Sequence, residues 1–291
     1  MRKIKANPAA LMTFSFLFSG NILFNLYYSS GNPIACYIIS SVFLLSFAFA
    51  FAVIFRQSKN KCGKILKKVV YYILSVAAAG FLSFSVYTYT ASLGSFADYY
   101  GEMHVVLFSA VSVLAAGFCG AKKDRNSVIG FACMTVFLMI VWTFAGMLGF
   151  FYTKNIVPVK MLNFNLSVGN VMEIMKTTVI LSADIIFLLA VSEKCGNVSK
   201  ENNIKSNVVY GVMLYIVLCG INLLKNVLMF GEEFLSGLEN PDLAAIRLVP
   251  MFELPEISVI VNTLAVTLRA LVYIRVFYET FFEKNQRCDV M

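Results

Sequence analysis

The chain has 291 residues, of which 59% are hydrophobic and only 14% are charged. A soluble domain carries roughly 25% charged residues, so this composition excludes an ordinary soluble protein and indicates an all-α polytopic membrane protein. The net charge of +8 does not indicate nucleic-acid binding, because the basic residues lie between apolar segments.

Long apolar segments predict about eight transmembrane helices in a single domain that covers residues 1–291. A helix that spans the hydrocarbon core of a bilayer needs about 20 residues. The predicted spans are residues 8–28, 34–55, 69–92, 105–121, 127–153, 173–192, 207–230 and 257–282.

The first predicted span contains Ser19, Gly20 and Asn21 near its midpoint. Glycine beside two small polar residues has two interpretations. It favours a break in the helix, which membrane proteins tolerate where the freed backbone lines a cavity. It also favours unbroken helices that approach each other closely at a small residue.

The distribution of basic residues predicts the orientation. Residues 56–68 hold six Lys or Arg and no acid, and 17 Lys or Arg lie in the N-terminal tail, the loops after spans 2, 4 and 6, and the C-terminal tail. The other loops hold only Lys154, Lys160 and Arg247. Cytoplasmic loops are the basic ones, so both termini are predicted to be cytoplasmic.

Two connecting segments have sequences that predict local structure. Residues 154–170 are mostly uncharged, which is compatible with partial re-entry into the membrane. In the loop of residues 231–256, Asn240, Pro241 and Asp242 are typical of a helix start, so a short helix is predicted over residues 242–249, ending before Pro250.

Asp184 is the most informative single residue, because a carboxylate in the middle of an apolar span requires a polar or cationic partner. Counted at about 1.5 Å per residue, Asp184 lies roughly 16 Å and Arg269 roughly 18 Å from the outer ends of their spans. Arg269 is therefore the predicted partner. Lys225 is only about five residues from the outer end of span 7, where its side chain can extend outward to the headgroups.

An ion pair of Asp184 and Arg269 beside a helix break would suit a zwitterion. The acid would bind the ammonium group, and the cation and the free N–H groups of the broken helix would bind the carboxylate. The predicted ligand-binding residues are Ser19, Gly20, Asn21, Asp184 and Arg269, and the predicted outer vestibule or lid contains Lys225, Pro241 and Arg247. The same charges could instead join two helices with no ligand.

His104 is the only histidine, the seven cysteines include no Cys-x-x-Cys, and no nucleophile–base set is present, so no metal, cofactor or enzymatic activity is predicted.

Four segments resemble a known family. They are residues 18–24 (Phe-Ser-Gly-Asn-Ile-Leu-Phe), 182–189 (Ser-Ala-Asp-Ile-Ile-Phe-Leu-Leu), 240–249 (Asn-Pro through Ile-Arg-Leu-Val) and 252–254 (Phe-Glu-Leu) continuing into span 8. In order and spacing the chain resembles the membrane-permease subunit of bacterial spore germinant receptors, the GerA-type B subunit, of the amino acid–polyamine–organocation superfamily. That family has ten spans in two inverted five-helix repeats, so eight spans would form a truncated, five-plus-three bundle. Where the family has Phe-Gly-Glu, this chain has Ser182-Ala183-Asp184.

The resemblance implies a subunit of the spore inner membrane, in the bacterial cell membrane, that senses a small nutrient such as an amino acid. Its implied partners are a large A-type subunit and a C-type lipoprotein. Two alternatives remain open at this point: an amino-acid transporter coupled to protons or cations through Asp184, and a structural membrane subunit without a ligand.

Overall fold

The structure is a computed structural model that describes most of the chain. The described residues are 8–24, 26–28, 32–58, 64–100, 103–122, 125–152, 168–193, 202–235, 237–238, 241–248 and 256–281. The predicted re-entrant segment and both predicted cytoplasmic tails fall largely or wholly outside these ranges.

The described residues form ten helices and no strand, which confirms the all-α prediction. The helices are α1 (Pro8–Phe24), α2 (Pro33–Ser58), α3 (Lys64–Tyr100), α4 (Met103–Lys122), α5 (Arg125–Tyr152), α6 (Val168–Glu193), α7 (Asn202–Phe230), α8 (Glu232–Leu235), α9 (Pro241–Arg247) and α10 (Glu256–Phe281).

Within the described residues, five helices (α2, α3, α5, α7 and α10) contain segments that are long and apolar enough to cross a membrane, and α1 and α4 contain shorter apolar segments. Large apolar side chains are exposed on these helices, such as Phe43 of α2, Val76 of α3 and Phe137 of α5. A soluble monomer rarely exposes so much apolar surface, whereas lipid covers it without penalty. The protein is therefore a helical membrane protein.

Helix α1 lies at the centre of the bundle, in contact with α3, α5, α6, α7 and α10. Its residues contribute to each of three buried apolar clusters. One cluster joins α1 to α2, α5, α6 and α7. A second joins α1 to α3, α5, α6 and α10, and a third joins α1 to α3, α4 and α10. The helices around α2 and α7 and those around α3, α4 and α10 thus meet along α1, α5 and α6.

Local sequence explains where α2 begins and where α7 ends. Asn32 precedes α2, and its side-chain oxygen accepts a hydrogen bond from the Ala35 N–H at 3.0 Å, as a helix N-cap does. Pro33 follows at the first helical position, where its missing N–H is harmless. Gly231 ends α7 with a φ of 77°, a left-handed conformation that glycine adopts without strain.

Several helices begin or end at residues other than the limits of the predicted spans, which themselves stay a prediction. Helix α1 ends at Phe24 rather than residue 28, because residues 26–28 turn and bury Tyr27 and Tyr28. Helix α3 begins at Lys64 and continues to Tyr100, since lysine and polar residues with adequate helix propensity extend a helix beyond its apolar segment. The predicted short helix is present as α9, and the single turn α8 was not predicted.

Gly211 of α7 provides a test of the packing along α1. A methyl group added there would lie 2.6 Å from the Ala10 carbonyl oxygen and 2.6 Å from the Thr13 side chain. We expect Gly211→Ala to destabilise the protein by about 1–3 kcal/mol, because the backbone of α1 must move. Thermal unfolding in detergent measures this. Gly80→Ala is the matched control, since nothing lies within 4 Å of that position, and equal effects of the two changes would contradict the packing of α7 on α1.

Candidate functional site

The central feature is an ion pair between Asp184 of α6 and Arg269 of α10. The Arg269 Nη2 donates to Asp184 Oδ1 at 2.7 Å, and Nη1 donates to Oδ2 at 2.9 Å. Both side chains are 0% exposed, so neither charge contacts solvent or lipid. This confirms the predicted pairing of the two residues, in the bidentate geometry that gives the strongest carboxylate–guanidinium contact.

Aromatic rings surround the remaining surface of the guanidinium group. Its central carbon lies 4.9 Å from the ring centroid of Phe16, 4.8 Å from Phe24 and 5.4 Å from Tyr273. The negative faces of aromatic rings attract cations, most strongly where water is excluded. Besides α6, α1 stabilises Arg269 through the two phenylalanines and α10 does so through Tyr273, and Ser85 of α3 accepts a hydrogen bond from Arg269 Nε at 3.4 Å.

The hydroxyl group of Tyr273 is a third member of the site. It accepts a hydrogen bond from Arg269 Nη2 and donates one to Asp184 Oδ1 at 3.2 Å. The side chain is 1% exposed. One hydroxyl group therefore contacts both charges.

Gly20 allows α1 to approach the pair. A methyl group at this position would lie 2.5 Å from Arg269 Nη1 and 3.1 Å from Asp184 Oδ2. The backbone of α1 is continuous from Pro8 to Phe24, so the predicted break in this helix is absent. Of the two interpretations of the small polar residues, the close contact is correct, because Gly20 has no side chain to separate α1 from the ion pair.

The residues on either side of Gly20 do not contact the ion pair in any described hydrogen bond. The Ser19 hydroxyl donates to the Phe16 carbonyl oxygen in its own helix at 2.6 Å. Asn21 is 3% exposed, and its Oδ1 finds no hydrogen-bond donor among the described residues. The predicted binding of a ligand by Ser19, Gly20, Asn21, Asp184 and Arg269 stays a prediction.

A second buried polar cluster lies where α9 meets the end of α7. Asp242 Oδ1 accepts hydrogen bonds from Asn222 Nδ2 at 2.7 Å and Asn226 Nδ2 at 2.6 Å, and Lys225 Nζ lies 3.4 Å away. The Asn226 amide also donates to the hydroxyl of Tyr28 at 2.7 Å. Residues of one helical turn of α7 thus fasten α9 and the turn after α1.

This cluster corrects the prediction for Lys225. The side chain was expected in an outer vestibule or extended to the headgroups. It is 5% exposed and pairs with Asp242, so it does not extend outward. The physical reason is that α9 folds back over α7 and brings a carboxylate to the lysine. Pro241, at the first position of α9, is also buried, and Arg247 is the last residue of this helix. The vestibule or lid role of these three residues stays a prediction.

Neither a scan against protein-family models nor a search of curated proteins finds a match for this chain. Function is therefore inferred from the geometry of the site and from the motifs quoted above.

Sequence reasoning missed two residues that complete these clusters. Tyr273 follows Arg269 by four positions on a predicted helix, and residues four apart share a helix face, so the spacing was sufficient to find it. Asp242 was predicted only as an acid in the first turn of a short helix. No local signal pairs it with Lys225, because their contact depends on how the loop folds.

Gly20→Ala tests whether α1 must lie against the ion pair. The new methyl group would displace a guanidinium that three rings and hydrogen bonds to Asp184 and Tyr273 hold in place, so we expect a destabilisation of about 1–3 kcal/mol. Thermal unfolding measures it. Gly130→Ala in α5, with nothing within 4 Å, should leave stability unchanged or slightly higher, and a Gly20→Ala protein as stable as this control would contradict the close approach.

Asp242 and Lys225 are open to a double-mutant cycle. Asp242→Ala leaves a buried ammonium group without its counter-charge and should destabilise the protein by about 3–5 kcal/mol. Lys225→Met should have a smaller effect, because two amide groups still donate to Asp242. The double variant should recover part of the loss, and strictly additive free energies of unfolding would show that the two charges do not interact.

Proposed function

We propose that the chain is a spore germination permease-like membrane subunit that senses a small zwitterionic nutrient, most simply an amino acid, within a germinant-receptor complex. The proposal includes eight spans in a five-plus-three inverted-repeat bundle, with both termini in the cytoplasm. It also includes the spore inner membrane as location, and an A-type subunit and a lipoprotein as partners. The motif resemblance supports these assignments.

The observation that carries the ligand class is the fully buried, bidentate pair of Asp184 and Arg269. Removing two charges from water is expensive, and well-packed apolar residues of similar volume often stabilise a protein as well or better. Stability alone is therefore a weak reason for these charges. Their opposite signs match the two ends of a zwitterion, whose carboxylate fits Arg269 and whose ammonium group fits Asp184.

Binding would require an exchange of partners, because each charge is already satisfied by the other. The ligand would take the place of Asp184 on Arg269 and of Arg269 on Asp184, so α6 and α10 would be joined through the ligand instead of directly. A ligand shifts a conformational equilibrium by its differential affinity for the two states. This exchange supplies that difference. Because α1 is unbroken, Arg269 rather than a free helix end would receive the ligand carboxylate.

A structural role for the pair is the second candidate, and the saturation of both charges favours it. In that case α6 and α10 stay joined in every state. Coupled transport of the amino acid is tested separately, by the uptake of labelled amino acid into proteoliposomes.

The two candidates are separated by ligand-dependent thermal shift in nanodiscs with a panel of amino acids and sugars. A ligand at about 100 times its Kd stabilises a protein by about 2.7 kcal/mol. We expect one or more amino acids to shift the wild-type protein. The double variant Asp184→Leu/Arg269→Met should fold, because no unpaired charge is left, but should show no shift.

Lys225→Met/Asp242→Leu removes the other buried ion pair. A retained amino-acid shift in this variant would assign binding to the central pair, whereas a lost shift would support the predicted vestibule role of Lys225. A shift retained in the Asp184→Leu/Arg269→Met variant would show that the ligand binds elsewhere. If no amino acid shifts the thermal unfolding of the wild-type protein, the ligand-binding proposal fails and the structural role is the remaining candidate.

A further inference from the structure

The hydroxyl group of Tyr273 contacts both charges of the site, and its ring is held by rings from three other helices. The Tyr273 ring lies 5.1 Å from Phe187 of α6, 5.6 Å from Phe16 of α1 and 6.2 Å from Phe81 of α3, measured between ring centroids. The first two contacts are edge-to-face, at 83° and 76°. A ring packed in this way keeps its hydroxyl oxygen in place when a neighbouring side chain moves.

The partner exchange described above creates a problem that this hydroxyl group solves. If Arg269 turned to a ligand carboxylate, Asp184 would lose both of its guanidinium hydrogen bonds. A buried carboxylate without a donor takes up a proton and becomes neutral, because an isolated charge in an apolar interior is very unfavourable. A neutral Asp184 would no longer attract an ammonium group.

The Tyr273 hydroxyl is the donor that would stay with Asp184. Among the described residues, the titratable or charged groups in contact with Asp184 are Arg269 and Tyr273, both of α10. Helix α1 approaches the pair with Gly20, which has no side chain. Helix α3 contributes Ser85, a non-titratable residue whose hydroxyl accepts a hydrogen bond from Arg269 Nε at 3.4 Å. The ionised state of Asp184 during the exchange thus depends on one phenol.

We infer that Tyr273 is a positioning residue that keeps Asp184 ionised when Arg269 binds a ligand carboxylate, so that the site selects zwitterions over simple carboxylates. The inference rests on the proposed function and adds the basis of its selectivity. A ligand that lacks an ammonium group would leave the Asp184 charge unpaired, and the site would reject it.

The test compares Tyr273→Phe with the wild-type protein and uses two probes that differ only in the ammonium group. The first probe is the amino acid of the panel that gives the largest thermal shift. The second is its des-amino analogue, for example propionate where that amino acid is alanine. Affinities are measured by calorimetry in nanodiscs at pH 6, 7 and 8. Wild-type protein should prefer the amino acid at least tenfold, with an affinity that is constant over this pH range.

Tyr273→Phe keeps the ring and removes only the oxygen. Its preference for the amino acid should fall tenfold or more. Its affinity for the des-amino analogue should rise as the pH falls, by up to about tenfold per pH unit, because Asp184 takes up one proton when the ligand binds. A variant with the wild-type preference and pH profile would overturn the role of Tyr273 while leaving the proposed function intact.

Tyr89→Phe is the matched control. Tyr89 is also a buried tyrosine that joins α10 to α3, through a 2.7 Å hydrogen bond between its hydroxyl and that of Thr263. Its loss should leave both the preference and the pH profile unchanged, whereas an equal change in both variants would indicate a general packing effect.

Calorimetry of the wild-type protein in two buffers of different ionisation enthalpy provides a test that needs no variant. Amino-acid binding should be accompanied by no net proton uptake, because Asp184 stays ionised. Uptake close to one proton per ligand would overturn the inference. If the wild-type protein binds no amino acid at all, the proposed function fails and this inference falls with it.

Discussion

The burial of Asp184 and Arg269 is the constraint on which the rest of the bundle depends. Two full charges in a dry interior are tolerated only when each is paired and its remaining surface is satisfied. Four helices meet this requirement: α6 and α10 carry the charges, α1 supplies Gly20 and two rings, and α3 supplies Ser85 and Phe81. The close approach of α1 is therefore part of the electrostatics, since a larger residue at position 20 would occupy the space of the guanidinium group.

The position of the pair links its chemistry to the architecture. One group of helices packs around α2 and α7, and the other around α3, α4 and α10, and α1, α5 and α6 contact both. Asp184 lies on α6, one of the helices that contact both groups, and Arg269 lies on α10, in the second group. In the proposed function, a ligand that separates the two charges acts on the contact between the groups, so binding and conformational change share one set of atoms.

The second buried cluster follows the same electrostatic rule in a different way. Asp242 is held by two amides and an amine from a single turn of α7, so the short helix α9 acquires a fixed place that its seven residues would not secure alone. This cluster is less complete than the central pair, because Asn226 Oδ1 has no donor among the described residues. The hydrogen bonds and ion pair of Asp242 hold the peripheral helix α9 in place, whereas the central ion pair joins the two helix groups.

The sequence by itself determined that the protein is helical and membrane-embedded, where most helices lie, and that Asp184 and Arg269 are partners. These properties follow from apolar length and from depth along a helix, which a linear count measures. Only the tertiary structure decided that α1 is unbroken at Gly20, that Lys225 is buried against Asp242, and that Tyr273 contacts both central charges. The reason is that each depends on rotation about a helix axis or on the path of a loop. A count of residues gives the depth of a side chain, but the packing of neighbouring helices determines which atoms it meets.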